Sequence, residues 1–148
     1  MPTLYDQVER SSLLQRLGGL KTDSQPVWGR MSPSQVVCHL ICAFRASLGE
    51  LPVGPATGAM SHLPLNWLVI HLFPWPQAKA ESPPEFLGLP PTGWEPDLAT
   101  LRSLIERAAA RGPTADWPPS RTFGRLSGAS WGALHRKHLD HHLRQFGM

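Results

Sequence analysis

The run His135-Arg136-Lys137-His138-Leu139-Asp140-His141-His142-Leu143-Arg144-Gln145-Phe146-Gly147 holds four of the chain's seven histidines, with no proline and no glycine before its end. A helix turns about 100° per residue, so His138 and His142, four apart, project from one face about 40° from each other. Two neutral imidazoles at that spacing can grip one metal ion. Trp131 and His135 fall on the same face, whereas Arg136, Asp140 and Arg144 mark the opposite one, which turns the histidines inward. His141 is displaced towards the flank that also carries Lys137. A pair of histidines is half of a site, so a third ligand must come from elsewhere in the chain.

Working back from this run, Ser127 is the expected cap of a last helix over Gly128 to Phe146. Before it, Glu95 to Arg111 spaces Leu98, Leu101, Leu104, Ile105 and Ala108 as a helix does, and Gly112-Pro113 ends it. The clearest helix start lies further upstream. Ser32 caps, Pro33 suits the first helical position and Gln35 completes a capping box. From there Val36, Val37, Leu40, Ile41, Phe44 and Leu48 form an apolar stripe that ends near Gly49, and His39 sits on the neighbouring face with Gln35, Cys42, Ala43 and Ala46. Small residues on that face admit a close neighbouring helix. A first helix is expected over Leu4 to Leu17, with Leu4, Val8, Leu13, Leu14 and Leu17 as its stripe and Gly18-Gly19 as its stop. Between Gly54 and Trp94 eight prolines interrupt the chain, and a short helix near Asn66 to Phe73 followed by an extended path is expected there. Nothing alternates with period two for long enough to be a strand. The expected fold is all-α: four main helices, with a long crossover between the second and third.

At 148 residues the chain has the size of one domain with its own core. Its 14 basic and 11 acidic residues are scattered, so no basic cluster forms and nucleic acid is not an expected partner. The two cysteines, Cys38 and Cys42, lie one helical turn apart, a poor disulfide geometry that fits a reducing compartment. Met1-Pro2-Thr3-Leu4-Tyr5-Asp6 lacks the basic-then-apolar order of a secretion signal, and the apolar run Leu63 to Trp75 is too short to span a bilayer. The expectation is a cytoplasmic protein with no membrane contact.

His39 on the second helix with His138 and His142 on the last would make a three-histidine site that leaves a position open for water or substrate. Three imidazoles accept zinc or nickel, and also iron or manganese. The His-x-x-x-His lacks the glutamate of a metalloprotease, and no carboxylate at motif spacing offers a general base. The bland alternatives are core or surface histidines, with His39 bonded to Gln35 or to a loop carbonyl. Around the three, Gln35, Cys42, His135, His141 and Gln145 are candidates to support the ligands, and Gln145 could bond a ligand ring. Trp28, Trp67, Trp75 and Trp94 are candidate pocket walls. His62 and His71 belong to the crossover rather than to the site.

Three segments carry a resemblance: Trp28-Gly-Arg-Met-Ser-Pro-Ser-Gln-Val-Val-Cys-His39-Leu, Phe123-Gly-Arg-Leu-Ser, and His135-x-x-His138-Leu-Asp-His141-His142-Leu-Arg-Gln-Phe-Gly. Together they resemble the DinB-like superfamily, and in particular an uncharacterised branch ending in His-Leu-Asp-His-His-Leu-Arg-Gln-Phe-Gly. The resemblance spans nearly the whole chain. It implies a four-helix bundle with a long crossover after the second helix, often as a homodimer. It also implies a divalent metal held by residues that map onto His39, His138 and His142. Members of the superfamily include metal-dependent transferases of low-molecular-weight thiols, so the expected activity is a thiol S-transferase or hydrolase acting on a small molecule. The competing expectation is a non-catalytic metal-binding or interaction module. A deep pocket over the open metal position favours the enzyme; a plugged one favours the module.

Overall fold

A computed structural model describes residues 1–77 and 89–148. Among these residues the chain is helical: α1 (Gln7–Gly19), α2 (Pro33–Ser47), α3 (Leu65–His71), α4 (Trp94–Arg111) and α5 (Gly128–Gln145), with one 3₁₀ turn at Ala59–Ser61. No strand forms among them, and the sole β-like pairing is an isolated bridge between Ser120 and Gly124. None of these helices is long and apolar enough to cross a membrane. The extended path expected beyond Phe73 falls in part on residues 78–88, outside the described residues.

Helix starts follow local chemistry closely. At α2 the Ser32 hydroxyl accepts from the Gln35 backbone N–H at 3.2 Å, and Gln35 Oε1 accepts from the Ser32 N–H at 2.8 Å, closing the capping box. At α5 the Ser127 side chain accepts from the Ser130 N–H at 3.1 Å. The first helix departs from expectation. Asp6 caps it by accepting from the Val8 N–H at 3.1 Å, so α1 begins at Gln7 and runs through the glycine pair to a cap at Leu20. Leu4 is fully buried but lies before the helix, its N–H donating to Gly132 O at 3.0 Å. Val8, placed in the apolar stripe by spacing alone, points to solvent and is 80% exposed.

The core is one cluster in which Phe44, Leu40, Leu101, Ile105, Leu139 and Leu143 are almost fully buried. α2 packs mainly on α4, while α5 contacts α1, α2 and α3. Gly132 is needed where α5 passes the amino-terminal segment: a Cβ there would stand 2.3 Å from the Tyr5 ring, whose hydroxyl donates to Gly128 O at 2.6 Å. The outer face of α5 does not simply meet water. Arg136 pairs with Glu9 at 2.6 Å and Asp140 with Arg16 at 2.8 Å, joining α5 to α1.

Lys137 holds α3 in place. Its ammonium donates to Val69 O at 2.7 Å, to Ile70 O at 3.2 Å and to Phe73 O, filling the carbonyls that α3 leaves open at its carboxyl end. The Trp75 indole also donates to Val69 O, at 3.2 Å, and the Lys137 charge lies 5.7 Å from the Trp75 ring centre. One side chain of α5 thus sets both α3 and the tryptophan that follows it.

Candidate metal centre

The capping box fixes where α2 begins, and His39 lies on its second turn, buried at 4% exposure. His138 and His142 project from α5, both half-buried. Nε2 of His138 stands 2.9 Å from Nε2 of His39 and 3.2 Å from Nε2 of His142. One nitrogen from each of the three rings lies within 4.8 Å of the others. The His39 ring meets the other two edge to face, the His138 and His142 rings are tilted by 53°, and all three centroid pairs are 4.9 Å apart. Residues 39 and 138, far apart in sequence, are therefore brought to a common point.

Gln145 settles the tautomer of His142. Its Nε2 donates to the Trp28 carbonyl at 3.2 Å, and because that carbonyl can only accept, Oε1 is the amide atom left facing His142 Nδ1 at 2.8 Å. Nδ1 must then carry the proton, so the neutral ring presents a bare lone pair at Nε2, towards its two partners. Burial, followed by the nearby His39, pushes the His142 pKa down to about 3, and the Gln145 contact only partly offsets this. Burial first, and then the neighbouring histidines, holds His138 well below the ordinary imidazole range. Both rings are neutral bases at physiological pH.

This donor set fits a metal ion. Metal–nitrogen bonds of about 2.1 Å separate ligand nitrogens by about 3.0 Å at right angles and by about 3.4 Å at the tetrahedral angle. The separations of 2.9 and 3.2 Å sit at that spacing.

The triad opens on a cavity of about 920 Å³ whose wall includes Trp28, Met31, Trp75 and Phe123. Ala43 and Ala46, on the same face of α2, also line this space, where their short side chains leave room. His141 also lines it, with its ring 5.7 Å from Trp28 and from Trp75 and edge-on to His142 at 5.2 Å. Burial and then Arg144 lower its pKa, while Asp140 opposes them.

Other candidate residues fall elsewhere. Gln35 does not reach His39, because its side chain is used in the capping box at the exposed end of α2. Cys42 is fully buried and absent from the cavity wall; it belongs to the core, where burial raises its pKa. His135 lines the cavity one turn before His138, but its ring is stacked on Phe44 at 4.3 Å and on Trp131 at 5.3 Å. Its Nε2 and the Trp131 Nε1 are buried with no hydrogen-bond partner among the described residues. Trp67 and Trp94 do not wall the cavity. Trp67 is 44% exposed and stacks on His71, which reaches Ser130 Oγ at 3.1 Å; His62 is exposed.

Sequence reasoning missed the cavity's loop residues Arg30, Val53, Arg121 and Thr122, and Met60 on the 3₁₀ turn. Periodicity marks helix faces, and these positions have none. Comparison of the chain with protein-family models, curated proteins and solved structures finds no match.

Proposed function

We propose that this chain is a metal-dependent enzyme acting on a small molecule, with His39, His138 and His142 holding one divalent ion at the wall of the cavity. A bound divalent ion would acidify a coordinated water to near neutrality, or hold a thiol as its thiolate. The chain supplies the rest. Gln145 orients His142 and commits its Nε2 to the ion; Trp28 and Trp75 flank the approach; the apolar wall keeps bulk water from the seated molecule. Three ligands leave coordination positions for a reactant, as catalytic sites do.

Convergence of three imidazole nitrogens beside a roomy cavity carries this reading. The open space over the triad also favours an enzyme over a non-catalytic module, whose site apolar side chains would fill. Zinc or nickel suits an all-imidazole set, and iron or manganese can occupy one. We assign the chain to the DinB-like superfamily by its resemblance, with a four-helix bundle built from α1, α2, α4 and α5 and crossed by the α3 segment. The helix order and the positions of the three histidines support that assignment. On the same ground the reaction is a thiol S-transfer or a hydrolysis, and the assembly a homodimer.

Elemental analysis of protein purified without a nickel column tests the site. One equivalent of a divalent metal is expected in the parent chain, and less than about a tenth of that in His142→Ala. Unchanged metal content in that variant sinks the site. A panel of low-molecular-weight thiols and electrophiles, with and without metal, then distinguishes transfer from hydrolysis.

A further inference from the structure

The charge of the cavity wall limits what can bind there. Among the described residues none of its lining groups is Asp or Glu, yet two are arginines, Arg30 and Arg121. The three candidate ligands are imidazoles, which bring no negative charge to offset a divalent ion. Low-dielectric walls with one sign of charge focus the field on whatever enters. A cation would find aromatic faces here but no counter-charge among the described residues, and both guanidinium groups would oppose it.

The two arginines are placed differently. Arg121, in the loop before α5, is half-buried and donates from Nη1 to Pro55 O at 3.2 Å, so its head is held. Arg30 is exposed and makes no hydrogen bond or ion pair with the described residues. It follows Gly29, whose φ of +77° suits glycine, and where a Cβ would stand 2.7 Å from Gln145 Nε2. The turn that presses Trp28 O onto Gln145 therefore also carries Arg30 to the cavity. Most of the remaining wall is apolar, including Trp28, Met31, Val53, Met60, Trp75 and Phe123. Its volume of about 920 Å³ lies towards the upper end for small-molecule sites, well beyond the needs of a simple inorganic or acetate-sized ion.

We infer that the molecule seated over the triad is a small organic anion with an aromatic or branched apolar body, its body between the tryptophans and its anionic group within reach of Arg30 and Arg121. Guanidinium pairs with a carboxylate through two parallel hydrogen bonds, which gives preference as well as affinity. This deepens the proposed function by naming the class of its substrate, but the selection belongs to the arginines and the apolar wall and does not need the metal.

Quenching of tryptophan fluorescence in the full chain tests it, using 3-phenylpropionate, 3-phenylpropan-1-ol, 3-phenylpropylamine and acetate as probes, each on metal-free and metal-loaded protein. Phenylpropionate is expected to bind at least about tenfold more tightly than the alcohol, the amine or acetate, the factor for a charge-assisted contact. Arg30→Gln, at an exposed position, should remove several-fold of that preference while leaving the alcohol's affinity unchanged. An amine that binds as well as the carboxylate, or acetate that binds as well as phenylpropionate, overturns the inference. Protein that takes up no metal yet still selects the aromatic carboxylate keeps it and removes the metal site. Protein that holds metal but shows no such selection does the reverse.

Discussion

At the scale of single residues, Gln145 does the most for the site while touching no metal-facing nitrogen. Its amide spans from the Trp28 carbonyl to His142 Nδ1, and this linkage leaves the His142 lone pair at Nε2. Replacing such a partner typically weakens metal binding by about ten- to a hundredfold. Gln145→Leu should therefore lower metal affinity by that order with the helix content unchanged, as competition with a chromophoric chelator would read. Full affinity in that variant would mean that the relay is incidental. His135 makes the opposite prediction. Its ring stacks on Phe44 and Trp131 with a buried Nε2 that has no partner, so His135→Phe keeps the stacking and removes an unsatisfied nitrogen. Denaturant unfolding should show stability unchanged or raised by about 1 kcal/mol, with metal content intact. A loss of metal there would make His135 a ligand.

Among the elements, α2 and α5 were legible before the structure because their starts are written in adjacent residues. Ser32-Pro33-Ser34-Gln35 and Ser127 satisfy the backbone groups that a helix start leaves open, and both caps form as expected. Ser32→Ala should cost about 0.5–2 kcal/mol in chemical denaturation. α1 was legible only in part. Its apolar spacing reaches back to Leu4, but Asp6 caps in between, and Leu4 is buried through a contact with α5 instead. That contact depends on Gly132, where a methyl group would meet the Tyr5 ring at 2.3 Å. Gly132→Ala sits mid-helix, where alanine is the better helix former, yet the overpacking should dominate and cost about 1–3 kcal/mol. A more stable Gly132→Ala would show that Tyr5 moves aside freely. The role of Lys137 had no signal in sequence, since a lysine on a helix flank is ordinarily solvated.

For the molecule as a whole, burial of histidines ties folding to acidity. The His135 pKa falls from the ordinary 6.5 to about 3 because the folded ring is removed from water. The unfolded chain therefore binds the extra proton first as pH drops. Stability is unaffected above pH 6.5 and declines between 6.5 and about 3, by up to about 1.4 kcal/mol per pH unit for each such ring. Metal-free protein should accordingly lose thermal stability from pH 6.5 downwards rather than only in the carboxylate range. His135→Phe should flatten part of that slope. A profile that stays flat to pH 4 would contradict the burial. Metal bound to the folded state should raise the melting temperature at neutral pH, and a chelator should reverse it.

Sequence alone determined the helical class, the two best-capped helices and the inward face of α5, because each depends on residues within a few turns of one another. It also marked His39, His138 and His142 as partners, through helical spacing and a family resemblance. Only the tertiary structure brought residue 39 against the α5 pair, turned Cys42 into the core and joined Gln145 to Trp28. The cavity with its two arginines belongs to that second group as well. These features arise from contacts between distant segments, where packing and hydrogen-bond geometry decide the outcome and local periodicity carries no trace of it.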